Sequence, residues 1–145
     1  MSMKEKLIIG WREWVELPEF RGVIIKVKVD TGARTSSLHA SEIKELTHRG
    51  KKKVRFLLYP SANSREGAIK IEAPLVEYRS IRSSSGHREV RPVIVTMIRL
   101  MGREWPIEVT LTDRNMMGFR MLLGRKALRN QFLVSVNRSF FGKKK

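Results

Sequence analysis

Cysteine is absent from the 145 residues, which excludes disulfides, a thiolate nucleophile and any zinc site built on cysteine. Long hydrophobic stretches are absent as well. Runs such as Phe56-Leu57-Leu58-Tyr59 fall far short of the roughly 18 apolar residues that span a bilayer. The segment from Met1 to Arg12 starts basic but carries no sustained apolar core of the kind a secretory signal needs. These absences predict a soluble cytoplasmic protein with no membrane partner. The His-Glu-x-x-His pair of zinc proteases and the Gly-x-x-x-x-Gly-Lys-Ser/Thr phosphate loop are also missing. With three histidines, His39, His48 and His87, a zinc site would need widely separated imidazoles and carboxylates, so no metal and no cofactor are expected. Ser36 and Ser85 lack the Gly-x-Ser-x-Gly elbow of a serine hydrolase.

Negative charge is scarce. Thirty Lys and Arg face fourteen Asp and Glu, a formal charge of +16, which creates a field that attracts polyanions. Nucleic acid is the first partner such a balance suggests. The basic residues are spread along the chain, however, and no RNP aromatic motif, zinc-finger spacing or basic heptad region accompanies them. The densest cluster, His48-Arg49-Gly50-Lys51-Lys52-Lys53, reads as a solvated turn. The sequence therefore favours a soluble basic surface or an acidic partner over dedicated nucleic-acid recognition. Only two acids are aspartates, Asp30 and Asp113, and their contexts differ sharply.

What is present is a succession of short extended segments. Val23 to Val29 is β-branched and partly alternating, and runs directly into Asp30-Thr31-Gly32-Ala33. Leu7 to Gly10, Trp11 to Leu17, Lys53 to Tyr59 and Trp105 to Thr112 read as further strands. Leu75–Arg82 and Glu89–Ile98 flank Ser83-Ser84-Ser85-Gly86-His87, the pattern of a projecting hairpin. Pro92 fits an edge position there. Ser36 to Leu46 reads either as one or two helical turns or as an irregular strand. Met121 to Gly124 leads into a short helix over Arg125 to Asn130, and Phe132 to Val136 closes the pattern. Many short strands with one brief helix predict an all-β barrel or sandwich. No linker or repeat divides the chain, so one domain over residues 1–145 is expected.

Two fragments carry the chemistry: the strand ending in Asp30-Thr31-Gly32-Ala33, and Leu122-Leu123-Gly124-Arg125 about ninety residues later. Together they resemble the retropepsin-like aspartic peptidases. The longer matches Lys28 to Ala40, Arg82 to Pro92 and Met121 to Arg125 resemble one family within that class, called the ATP-dependent zinc protease family. It includes the RimB-type proteins associated with RimK-type glutamate ligases. The resemblance covers about Ile9 to Val136, and neither the zinc nor the ATP of the family's name has a motif here.

The resemblance implies an all-β retropepsin-like acid-protease barrel with one short C-terminal helix. It implies that Asp30 is the catalytic carboxylate, that Thr31 bonds across a dyad, and that Gly32 lets the backbone approach the carboxylate. Gly124 would pack against the Asp loop with no side chain in the way. Aspartic peptidases need two carboxylates around one water. Asp113 lies outside any Asp-Thr-Gly context, so the second carboxylate is expected from a second subunit, making a homodimer with the site on its axis. Ser84, Ser85, Gly86 and His87 form a candidate flap over a peptide substrate. Ala33 and Arg34 adjoin the catalytic turn, and Arg34 and Arg114 are candidates for holding a substrate carboxylate. Arg125 reads as a brace for the loop, and His39 as a satisfied polar residue near it. Ala33 replaces the hydroxyl residue of acid-active members, which moves the expected pH optimum toward neutral. Glutamate tails or other acidic protein segments fit the charge. The rival reading is a non-catalytic basic barrel that binds RNA, the ribosome or a ligase partner.

Overall fold

The computed structural model describes residues 5–61, 65–82, 85–114 and 118–142. Twelve strands and one short helix are formed by the described residues. In chain order they are β1 (Leu7–Gly10), β2 (Arg12–Leu17), β3 (Val23–Asp30), β4 (Ser36–His39), β5 (Ser41–His48), β6 (Lys51–Leu58), β7 (Ile69–Pro74), β8 (Glu77–Arg82), β9 (Arg88–Leu100), β10 (Arg103–Thr112), β11 (Met121–Gly124), α1 (Arg125–Leu128) and β12 (Phe132–Ser135). The all-β expectation with one brief helix holds. The segment after the Asp30 turn is two strands, β4 and β5, with a register shift between Ser41 and Lys44. Its helical alternative is therefore corrected: the polar alternation of β5 covers a partner strand, β6, and serves no helical face.

Seven strands pair in the order β10-β4-β11-β3-β2-β9-β8, and β10 also pairs with β9, which closes a barrel and leaves β8 outside the circuit. A second sheet, β5-β6-β7, and a parallel β1–β12 pair complete the sheets. Alternation explains the interior. Ile25, Val27 and Val29 of β3, Val15 and Leu17 of β2, and Val109 and Leu111 of β10 are all buried, because every second side chain of a strand faces one side. Leu38, Ile94, Ile98, Met121 and Leu123 fill the same core. Met121 thus acts as core filler, whereas Met116 and Met117 lie outside the described residues.

The basic turn at 48–53 is the tip of the β5–β6 hairpin. Arg49 and Gly50 both take positive φ, 51° and 75°, as a two-residue hairpin turn of this twist requires. Pro92 occupies the first β9 position beyond the ladder with β10, which ends at Val93.

The carboxyl-terminal segment is folded back on its own subunit by one acid. Glu13 is fully buried, and its carboxylate accepts N–H bonds from Gly10 (2.7 Å), Phe141 (2.8 Å) and Gly142 (2.9 Å). Trp14 stacks on Phe140, with ring centroids 5.5 Å apart. Truncating Glu13 strands one buried and two part-buried donors, and a buried donor left unpaired costs about 1–3 kcal/mol. Glu13→Ala is therefore expected to lower unfolding stability by about 3 kcal/mol or more, measured by urea denaturation, and to expose residues 138–142 to protease.

Candidate active site

The Asp30 turn is built from the backbone outward. β11 lies between β3 and β4, parallel to the first and antiparallel to the second, so the chain threads between the two arms of the turn at residues 31–35. In register, Gly124 stands beside Asp30. A Cβ on Gly124 would lie 2.8 Å from the Thr35 carbonyl carbon, 2.9 Å from the Arg34 oxygen and 3.0 Å from the Ala33 oxygen. All three are backbone atoms, so only glycine passes. The Gly124 N–H donates to Ser36 Oγ at 3.0 Å, and the Arg125 and Lys126 N–H groups donate to the Ala33 and Arg34 carbonyls at 2.9 and 3.1 Å.

Asp30 is half-buried, while Thr31 and Gly32 are exposed. The Gly32 N–H donates to Asp30 Oδ1 at 3.1 Å, and the Ala33 N–H to the Asp30 carbonyl at 3.1 Å. Those bonds orient the carboxylate outward without covering it. The Arg125 guanidinium donates to the carbonyls of Thr31 (3.4 Å) and Gly32 (3.1 Å), bracing the loop as its place after Gly124 suggested. Arg34 is exposed beside the turn.

His39 stands at the end of β4 away from the Asp30 turn, which corrects its expected place near the Asp loop. Its neighbours are Asp113 and Arg120. The imidazole Nε2 donates to the Asp113 carbonyl at 3.1 Å, and Nδ1 accepts from Arg120. Arg120 also donates to the Ser61 carbonyl from Nε and Nη2, at 3.1 and 2.9 Å. Burial, and then the Arg120 charge, push the His39 pKa below the ordinary value. Folding therefore disfavours the imidazolium. This contribution to stability is complete above the unfolded value, near 6.5, and is lost as pH falls through that value toward the folded one. His39→Gln is expected to flatten the fall in urea midpoint between about pH 7.5 and pH 5.5; an unchanged slope would place the sensitivity elsewhere.

At the β8–β9 hairpin, Ser85, Gly86 and His87 are exposed at the tip and Gly86 takes φ +88°. Ser84 lies outside the described residues. Arg114, 52% exposed in its side chain, pairs with Glu89 at 3.4 Å. Glu89 also holds Arg91 Nε at 2.9 Å and accepts from the Thr112 hydroxyl at 3.2 Å. Arg91 reaches Ser37 Oγ with Nη1 at 3.1 Å, and Ser37 bonds Thr110 Oγ1 at 3.0 Å. Of this polar network only Arg114 was singled out from the sequence; Glu89, Arg91, Ser37 and Thr110 were not. Its signal there is the cluster of Arg88, Glu89 and Arg91 at the start of a strand that is largely apolar beyond it. Among the described residues no three His, Asp or Glu side chains form a cluster that could hold a metal ion, and no helix is long and apolar enough to cross a membrane.

A barrel in which a glycine-passed strand threads behind an Asp-Thr-Gly turn defines the retropepsin-like class. The chain belongs to the RimB-like family, described as retropepsin-like aspartic endopeptidase RimB, whose model matches residues 8–145. Among its relatives are proteins named probable alpha-L-glutamate ligase. One from Shewanella pealeana is 46% identical over 93% of this chain, and one from Desulfotalea psychrophila is 41% identical over 89%. The chain spans only 30% and 28% of those two relatives' own lengths. A crystal structure of a Legionella pneumophila protein of unknown function superposes with a TM-score of 0.77 at 28% identity, covering 94% of this chain and 98% of that one.

Proposed function

We propose that the protein is a cytoplasmic aspartic peptidase working as a homodimer, with Asp30 of each subunit meeting at the two-fold axis. The observation that carries this reading is the Asp30 turn: a carboxylate aimed outward by the Gly32 N–H, on a loop locked from behind by Gly124 and Arg125. One carboxylate alone supplies a base and no acid. Two of them, sharing a proton, do both. The ionised member takes a proton from the water between them, and the protonated member donates to the scissile carbonyl oxygen as the water oxygen attacks its carbon. The tetrahedral intermediate then collapses as a proton passes to the leaving nitrogen. Exposure of Thr31 and Gly32 fits a turn that faces a second copy.

Two observations support an acidic substrate. The chain carries +16, which concentrates anionic peptides near any cleft. Relatives named probable alpha-L-glutamate ligase contain a region similar to nearly all of this chain, which associates the fold with glutamate ligation. The substrate class follows: protein tails bearing added glutamates. Cleavage of an oligoglutamyl peptide is expected to slow several-fold between about 50 and 300 mM salt through a rising KM. A rate indifferent to salt and to substrate acidity would remove this part of the reading. A basic module that merely docks on RNA, the ribosome or a ligase is the competing function. It predicts salt-steep binding by the purified protein with no peptide cleaved.

A further inference from the structure

Strand alternation places a second set of residues on the face that carries Asp30. Val27 and Val29 point into the barrel, so Lys28 and Asp30 share the opposite face of β3. Leu122 is level with Lys28 on one side and with Ser37 on the other, and Ser37 is level with Thr110. That face therefore runs from Asp30 across β11 to Ser37, about 12 Å away over two interstrand spacings and two residues along the strand, and on to the Thr110 hydroxyl one strand further. There it meets Arg91, which is only 8% exposed.

The charge there does not cancel. Among the described residues, the guanidiniums of Arg91 and Arg114 share one carboxylate, Glu89, which leaves a surplus positive charge beside two hydroxyls. Glu89 and Ser37 satisfy part of the buried Arg91 guanidinium at 2.9 and 3.1 Å, the surplus charge falls to the half-exposed Arg114, and each guanidinium has five N–H donors in a fork suited to carboxylates. An extended peptide rises about 3.3 Å per residue. A side chain about three or four residues from a bond held at Asp30 thus comes over Ser37 and Arg91.

We infer that Arg91, backed by Arg114 and Ser37, forms a subsite selecting an acidic side chain, glutamate or aspartate, at one fixed position of the peptide. This rests on the peptidase reading for the place of the bond, and deepens it by tying the preference for acid to one position. General attraction by a +16 surface predicts something else: equal benefit from a glutamate anywhere along the peptide.

The test uses the full chain carrying Asp30→Asn, so that peptides bind without turning over. The probes are alanine-based octapeptides with a single glutamate moved through each position, each paired with its glutamine counterpart. One position is expected to gain about tenfold in affinity from glutamate. Arg91→Lys, which keeps charge but loses the fork, and Arg114→Gln are each expected to shrink that gain several-fold at that position alone. Arg114 is half exposed, so its variant keeps the test valid should the Arg91 variant fail to fold. Replacing Lys51, Lys52 and Lys53 by glutamine is expected to weaken all acidic peptides alike and to leave the positional gain intact. A gain equal at every position, a gain indifferent to both arginine variants, or no binding of any octapeptide overturns the subsite. Cleavage assays on the unsubstituted protein separate the two proposals. A positional gain without any cleavage retains the subsite and removes the peptidase, whereas cleavage without acid preference does the reverse.

Discussion

Replacing Asp30 by asparagine is expected to lower peptidase activity by about a thousandfold or more while leaving fold and subunit association unchanged. The size follows from the proposed role: removing a positioned acid–base group typically forfeits about two to four orders of magnitude, and in the proposed homodimer one substitution removes it from both halves of the dyad. The shape of the site should survive. An asparagine oxygen can still accept the Gly32 N–H that now bonds Oδ1 at 3.1 Å, and the loop is held by Arg125 and the Gly124 crossing, neither of which touches the carboxylate. Circular dichroism and sedimentation should therefore match the unsubstituted protein. A variant that retains most of its activity would move the chemistry to another residue.

Gly124→Ala is the second large effect, and it acts by geometry alone. The added methyl would stand 2.8 to 3.0 Å from three backbone atoms of residues 33–35, none of which can swing aside as a side-chain tip could. Making room means spreading β11 from the turn, which lengthens the Arg125 and Lys126 N–H bonds to the Ala33 and Arg34 carbonyls. Overpacking of this kind costs about 1–3 kcal/mol, and more where backbone must move. Activity is expected to fall further than stability does, because the displaced turn is the one that aims Asp30. Gly102→Ala provides the contrast. Nothing lies within 4 Å of its added Cβ, and the penalty there comes from φ +78°. A Gly124 variant with unaltered melting and unaltered cleavage would show that the crossing tolerates a methyl.

The legibility of this molecule in its sequence was uneven, for physical reasons. β3 announced itself because five β-branched residues precede Asp30, and burial of every second one repeats the pattern. The Asp30 turn and Gly124 could be paired from the sequence through the resemblance to retropepsin-like peptidases, and the close backbone approach at Gly124 gives the physical reason for that glycine. β4 and β5 were harder. Ser36 and Ser37 are buried yet polar, so hydropathy misreads them, and their burial makes sense only beside the Gly124 N–H and the Thr110 hydroxyl. The closure of the barrel by β9 was invisible as well, since one thirteen-residue strand serves β8 at one end and β10 at the other. Arg91 and Glu13 were missed for a shared reason. Each is a buried charge: Glu13 is held by main-chain N–H groups, and Arg91, though it pairs with nearby Glu89, is buried against Ser37 of a distant strand, an environment no local pattern encodes.

The central claim is that one functional site takes an Asp30 from each of two chains. It is tested most directly by mixing. The unsubstituted protein is held at fixed concentration and allowed to exchange subunits with increasing amounts of the Asp30→Asn protein, and cleavage of an oligoglutamyl peptide is measured. A shared dyad predicts that activity per unsubstituted chain falls in proportion to that chain's share of the mixture, since every mixed dimer lacks one carboxylate. Activity that stays constant while subunits demonstrably exchange would contradict the account, because each chain would then carry a complete site of its own.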